Sequence, residues 1–265
     1  MKQKIAILGG GNLGRSIAEG LLEVEGFSPE AMQVTRRKAK YLQDLADRGV
    51  HTHSDNARAV RESEVIIAAV QPSQMPGVLA QVRAELDPQR HTLISLATGL
   101  TLAEIREHTH AELPVYRAMP NTAVALRESM TCICTEDQDA ARKAMVKELF
   151  AHLGESILIE EPLMASATVL GACGIAYVMR FIRAASQGGV QIGFDADLAQ
   201  MIVTQTVKGA AALLQEGGLH PEQEIDKVTT PRGCTIAGLN EMEHRGFSSS
   251  MIKGITTSHN KIADI

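Results

Sequence analysis

No stretch of this chain restricts its fold more than IAILGGGNLG, residues 5–14. Four apolar residues without polar alternation suit a strand buried on both faces. Glycines follow at once, and SIAEGLL beyond them has helical spacing. Gly9, Gly11 and Gly14 fall in the pattern G-x-G-x-x-G. In a strand–turn–helix unit the first glycine permits the tight turn. The second lets a diphosphate approach the backbone, and the third lets helix and strand pack closely. Free N–H groups at the helix start then bind the phosphates. The glycine pattern alone is weak, but its strand–turn–helix context makes it a specific sign of a dinucleotide cradle, with Asn12 and Leu13 inside the turn.

The rest of the first half repeats the same alternation. Apolar runs at 4–9, 32–36, near Val50, and at 64–70, 92–97, 115–119, 130–135 and 155–159 predict strands. Helical spacing lies between most of them, for example over 12–24, 37–48, 73–85 and 137–152. Alternating β and α with strands of this kind predicts an α/β domain with a doubly wound, parallel sheet over residues 1–161.

The character changes after Pro162, where no further strand is expected. Residues 162–189 read as one long helix with Gly171 and Gly174 inside it, and 195–218 as a second. Two shorter helices follow Cys234 and Phe247. Stretches such as GAAALL and ATVLGACG allow close helix packing. About 100 residues are a modest basis for an independent core, so residues 162–265 are expected to form an all-helical dimerisation domain.

Composition excludes several classes. The chain has 265 residues, 26 basic against 31 acidic side chains, and a net charge of −5 with no basic block, which argues against nucleic acid. No apolar run in the sequence reaches the length of a membrane span, and MKQKIAILGG reads as a strand rather than a signal peptide. Cys132, Cys134, Cys173 and Cys234 have no metal spacing and read as small apolar fillers in a reducing cytoplasm. His51, His53, His108 and His110 lack a third ligand and read as surface groups.

The end of the second strand addresses the choice of cofactor. An NAD site places Asp or Glu about 20 residues past the glycines, on the ribose hydroxyls. Here the sequence is Thr35-Arg36-Arg37, with no acid. Guanidiniums there suit a 2′-phosphate, which predicts NADPH in preference to NADH.

Six segments in order, GGGNLG (9–14), AAVQP (68–72), SLATG (95–99), RAMPNT (117–122), GACGIAY (171–177) and VTTPRGCT (228–235), give the chain a resemblance to the pyrroline-5-carboxylate reductase family over nearly its whole length. The resemblance implies a Rossmann-type first domain and a helical second one. It implies hydride transfer from NAD(P)H to the C=N bond of 1-pyrroline-5-carboxylate, giving L-proline, in the last step of proline biosynthesis. It also implies a cytoplasmic homodimer, with larger rings of dimers known among related enzymes.

By matching position, Asn56, Ala69, Val70, Gln71, Pro72, Leu96, Ala97, Thr98 and Asn121 line the cofactor. Glu161 and Lys227 lie near the imino acid. Thr230, Gly233, Cys234 and Thr235 hold it, with Thr235 as the catalytic candidate. The family's usual residues are replaced at Gln71, Cys173, Ile175 and Arg232.

Physics agrees on the last loop. Free N–H groups near Gly233, Cys234 and Thr235 make an anion site at a helix start. Pro231 fixes the entry and Gly233 is expected to supply conformational freedom, while Thr235 as a helix cap is the competing account.

Two rivals are set aside on sequence grounds. A β-hydroxyacid dehydrogenase needs a lysine on the long helix, and none occurs between Lys147 and Lys208. A non-catalytic NADP(H) sensor has no need of MPNT and the Thr235 loop.

Overall fold

The computed structural model describes residues 3–263. All eight expected strands are present: β1 Ile5–Leu8, β2 Met32–Thr35, β3 His51–His53, β4 Val65–Ala68, β5 Thr92–Ser95, β6 Val115–Met119, β7 Ser129–Thr135 and β8 Gly154–Leu158. They form one sheet in the order β3-β2-β1-β4-β5-β6-β7-β8. Every neighbouring pair is parallel except β6 and β7, which run antiparallel. Residues 120–128 between those two strands are too few for the crossover a parallel pair requires.

The first-half helices are α1 Asn12–Leu22, α2 Gln43–Asp47, α3 Asn56–Arg61, α4 Met75–Val82, α5 Leu102–Glu107 and α6 Ala140–Ala151. The helix expected over 37–48 is not continuous. A 3-10 turn at Ala39–Leu42 precedes the short α2, and Arg36 and Arg37 stay outside both. Only Leu42 and Leu45 of this segment are buried, too narrow an apolar stripe to anchor three helical turns.

The sheet is covered on both faces. Ile5 and Ile7 point into one core layer with Tyr116 and Phe150. Ala6 and Leu8 point into the other with Met75 and Leu79. Full burial of each large side chain stabilises by about 1.5–3 kcal/mol. The chain winds outward in both directions from β1, between β2 and β4, so the strand order reverses there. In such sheets ligands bind at the carboxyl ends of the strands flanking this reversal.

The helices of the second half are α7 Met164–Ala167, α8 Gly174–Gln191, α9 Ala196–Gly217, α10 Pro221–Lys227, α11 Cys234–His244 and α12 Phe247–Ala263. The long helix expected over 162–189 is interrupted, because α7 passes through a π-turn at Thr168–Cys173 before α8 begins. At this turn the Asn121 side-chain amide donates to the Gly171 carbonyl at 3.1 Å, and the Thr168 hydroxyl donates to the Met164 carbonyl at 2.8 Å. Side chains inserted into the helical ladder are a recognised cause of such turns. The run Glu161–Gln191, with mean hydropathy 1.6 over an 18-residue window, is nevertheless long and apolar enough to cross a membrane by length and composition. That departs from the expectation drawn from the uninterrupted apolar runs.

The chain divides into two compact units, one of residues 3–173 with 259–263 and one of residues 174–258. In the second unit Gly189 lets α8 approach α9, since a Cβ there would lie 2.9 Å from that of Ala199. Phe181 meets Phe247 edge to face, and the Tyr177 hydroxyl donates to Ser258 at 2.6 Å. Ala199 is the one hydrophobic side chain of this unit that is fully buried among the described residues. Met179, Ile192 and Met201 are each more than 60% exposed. So much open apolar surface on one small unit marks an interaction face.

Candidate active site

The three glycines of the first turn carry three distinct constraints. Gly9 has φ +110°, and a Cβ on it would lie 2.6 Å from the Ala69 carbonyl oxygen. A Cβ on Gly14 would lie 2.2 Å from the Gly9 carbonyl oxygen, so α1 can rest on the turn only without a side chain. A Cβ on Gly11 would meet nothing within 4 Å and would occupy open space at the cleft. The amides of Gly9 and Gly10 donate to the Thr35 carbonyl at 3.1 and 2.7 Å, which ties the turn to the end of β2. Gly11 caps α1 without a side-chain hydrogen bond, so the first amides of the helix are open to a ligand.

The cleft has a volume of about 1080 Å³ and lies at the carboxyl ends of β1, β2 and β4. Among the expected cofactor residues, Gly9, Gly11, Arg36, Arg37, Asn56, Ala69, Val70 and Gln71 line it. Asn56 accepts from the Thr35 hydroxyl at 2.6 Å and donates to Gln81 at 2.9 Å, so its orientation is fixed. Arg36, Arg37 and Lys38 form one basic rim, and no Asp or Glu among the described residues lines the cleft. Among the described residues none of these three cations is ion-paired. The open cradle at Gly11 and this unpaired basic rim fit a phosphorylated dinucleotide.

The remaining expected cofactor residues do not line the cleft. Asn12, Leu13 and Gly14 belong to the first turn of α1. Pro72 starts a 3-10 turn after Gln71. Leu96 and Ala97 are buried beyond the end of β5, with Thr98 half-buried. Asn121 is 8% exposed and committed at three atoms: it accepts from Ala123 N–H, donates through its side chain to Gly171, and its backbone N–H donates to Ser129. Sequence reading missed Lys38, Tyr41 and Gln81. The basic run Arg36-Arg37-Lys38 and a tyrosine three residues later were visible signals; Gln81, on the far turn of α4, gave none.

Glu161 has structural partners. Its carboxylate accepts from the Leu102 amide at 2.7 Å and from the buried Arg117 at 2.8 Å. Among the described residues Arg117 Nε has no partner, so Glu161 is the main counterion of a nearly dry guanidinium. Lys227, on α10, is exposed and paired with Glu224 at 2.7 Å.

In the loop before α11, Thr230 to Gly233 form a β-turn closed by the Gly233 amide donating to the Thr230 carbonyl at 2.9 Å. Pro231 is its second residue. Arg232, at φ +60°, takes the left-handed position that such turns ordinarily give to glycine. The expectation that Gly233 supplies the freedom is thus corrected, because its φ is −71°. Gly233 is required for space: a Cβ would lie 2.5 Å from the Thr230 hydroxyl and 2.9 Å from its carbonyl oxygen.

Gly233 is also the helix cap, with no side-chain hydrogen bond. Thr235 therefore lies inside the first turn and does not cap it. The amides of Cys234, Thr235 and Ile236 begin an exposed helix. Cys234 is exposed and is no core filler, whereas Cys132 and Cys134 are buried and Cys173 is half-buried. Burial pushes the Cys134 thiol up to about 11, which makes it inert. The histidines are also less exposed than expected: His53 is half-buried against Gln33, and His110 meets the Arg83 carbonyl, each at 2.9 Å.

Residues 161–265 match the family model for pyrroline-5-carboxylate reductase dimerisation, and residues 4–99 match that for NADP oxidoreductase, coenzyme F420-dependent. Among named relatives, pyrroline-5-carboxylate reductase 1 of Dictyostelium discoideum is 44% identical over 98% of this chain, which spans 49% of that protein. Pyrroline-5-carboxylate reductase 2 of the same organism is 42% identical over 98% of this chain and 92% of its own length. The crystal structure of Plasmodium falciparum pyrroline carboxylate reductase with NADP bound matches with a TM-score of 0.90 and 25% identity, covering 98% of this chain and 97% of that one. The Coxiella burnetii pyrroline-5-carboxylate reductase structure matches with a TM-score of 0.90 and 28% identity, covering 100% and 98%. The two-part architecture, the glycine cradle at the sheet reversal and these full-length likenesses lead to one conclusion: the chain belongs to the pyrroline-5-carboxylate reductase family.

Proposed function

We propose that this protein reduces the C=N bond of 1-pyrroline-5-carboxylate to give L-proline, with NADPH as preferred reductant and NADH as the weaker alternative. Family membership supports the reaction. The observation that carries the cofactor preference is the cleft at the sheet reversal, where three unpaired cations and no carboxylate follow β2. Bound there, NADPH supplies the hydride.

The chain's own residues bind and orient. The turn amides at Gly11 and the start of α1 receive the diphosphate. Cations of the basic rim receive the 2′-phosphate, while Asn56 and the Ala69–Gln71 edge border the rest. The amides of Cys234, Thr235 and Ile236 hold the substrate carboxylate at an uncapped helix start, each such bond to a charged group contributing about 1.5–3 kcal/mol. The Thr235 hydroxyl holds the ring nitrogen, which must carry a proton as its neighbouring carbon takes the hydride. Alignment rather than a strong acid or base then supplies the rate. Glu161 acts through Arg117 and Leu102 as a positioning residue.

The working unit is a homodimer, with a larger ring of dimers as the next level of assembly. Its second copy covers the apolar face of residues 174–258 in place of lipid, and the protein works in the cytoplasm with no nucleic-acid partner. Kinetics of Thr235→Ala test the site. The variant keeps wild-type NADPH affinity and loses about tenfold or more in kcat, the scale of one charge-assisted hydrogen bond. Unchanged kcat and KM would remove Thr235 from the mechanism.

A further inference from the structure

Arg36 and Arg37 are neighbours in sequence but stand in different surroundings. Arg36 is half-buried, and its guanidinium carbon lies 4.9 Å from the centre of the Tyr41 ring. Its backbone N–H donates to the His53 carbonyl at 3.0 Å, which fixes where the side chain begins. Tyr41 is 50% exposed and borders the cleft, with the Lys40 ammonium 5.4 Å from the centre of its ring. Arg15 braces this turn from α1, donating to the Tyr41 carbonyl at 3.0 Å while paired with Asp44. Arg37 and Lys38 are exposed and, among the described residues, make no contact with an aromatic ring.

A guanidinium held over an aromatic ring is already committed to stacking, and its second face is a flat surface for another π-system. A purine has such a face. Two free cations at the same rim are better suited to a dianionic phosphate, where mobility costs little and charge counts most.

We infer that the rim divides its labour: Arg36, seated on Tyr41, is the platform on which the adenine base stacks, and Arg37 with Lys38 holds the 2′-phosphate. This deepens the cofactor reading above and rests on it. It also revises the sequence expectation that Arg36 and Arg37 act together, because Lys38 takes the place of Arg36 at the phosphate.

Adenine is common to both reductants and the 2′-phosphate is not, so binding separates the two roles. The measurement is a calorimetric titration of the intact oligomer with NADPH and with NADH, with melting temperature as the folding control. Arg36→Ala and Tyr41→Ala each weaken both ligands by a similar factor, about three- to tenfold for a lost stacking contact. Tyr41→Phe retains wild-type affinity. Arg37→Ala and Lys38→Ala each weaken NADPH by about tenfold or more, as for a lost charge-assisted contact, and leave NADH unchanged. A selective loss of NADPH in Arg36→Ala would overturn the division, as would full NADPH affinity in Lys38→Ala. Failure of the wild-type protein to bind either ligand would overturn the cofactor reading itself.

Discussion

Glu161 offers the sharpest separation of a binding role from a positioning one. The family resemblance puts it near the imino acid, but the structure gives its carboxylate two protein partners. Arg117 is 8% exposed and Glu161 27%, with a separation of 2.8 Å. Removing one partner of a buried pair costs about 3–5 kcal/mol because the other charge is left dry. The partial exposure of Glu161 reduces that to roughly 2–3 kcal/mol through solvent screening. Loss of the acceptor for the Leu102 amide adds about 1 kcal/mol, and Arg117 Nε has no spare partner to soften the loss. Glu161→Ala should therefore destabilise by about 3 kcal/mol, a fall in melting temperature of roughly 6–12 °C for a domain of this size. The assay is a circular-dichroism melt at fixed protein concentration, with kcat and KM measured well below the transition. Glu161→Gln falls between, since it keeps an acceptor and loses the charge. A melting temperature within a degree of wild type, with KM for the imino acid raised severalfold, would refute the reasoning and return Glu161 to the substrate site.

The cradle glycines should separate in the same manner. Gly14→Ala drives a Cβ into the Gly9 carbonyl and destabilises by about 1–3 kcal/mol or more; Gly11→Ala, with open space, stays within about 0.5 kcal/mol of wild type yet loses NADPH affinity by calorimetry. Burial alone would raise the Asp137 carboxyl, but donation from Tyr116 at 2.7 Å and from the Asp139 amide, with the charge and hydrogen bond of Arg142, holds it below its ordinary value. Its contribution is thus present above the ordinary carboxylate range and lost as pH falls below about 4. In urea titrations across pH, the stability gap between wild type and Asp137→Asn should be open at pH 7 and close in acid. Met179→Glu places a charge on the exposed face of α8 and should shift the protein toward monomer in sedimentation, whereas an unchanged oligomer would place the interface elsewhere.

The strands were legible because IAIL and VIIAAV are apolar at every position, which only a doubly covered sheet accommodates. The cradle was legible because three glycines obey three separate steric demands. The π-turn was not, since Thr168–Cys173 keeps the apolar spacing of an ordinary helix and departs from it only through contacts such as that from Asn121. The turn before α11 misled for a related reason. Glycine is the usual left-handed residue, so Gly233 drew the assignment, while Arg232 in fact adopts that conformation and Gly233 is needed for want of a Cβ. Tyr41 was missed because stacking partners five residues apart in an irregular turn have no periodic signature.

The most direct test of the central claim is turnover. Purified protein is mixed with 1-pyrroline-5-carboxylate, and loss of reduced-nicotinamide absorbance is followed with NADPH and NADH in parallel. The account predicts rapid oxidation of both with NADPH preferred, and L-proline formed in equal amount. Absence of oxidation with either reductant, in folded and oligomeric protein, would contradict the reductase assignment; a clear preference for NADH would contradict the role given to the basic rim.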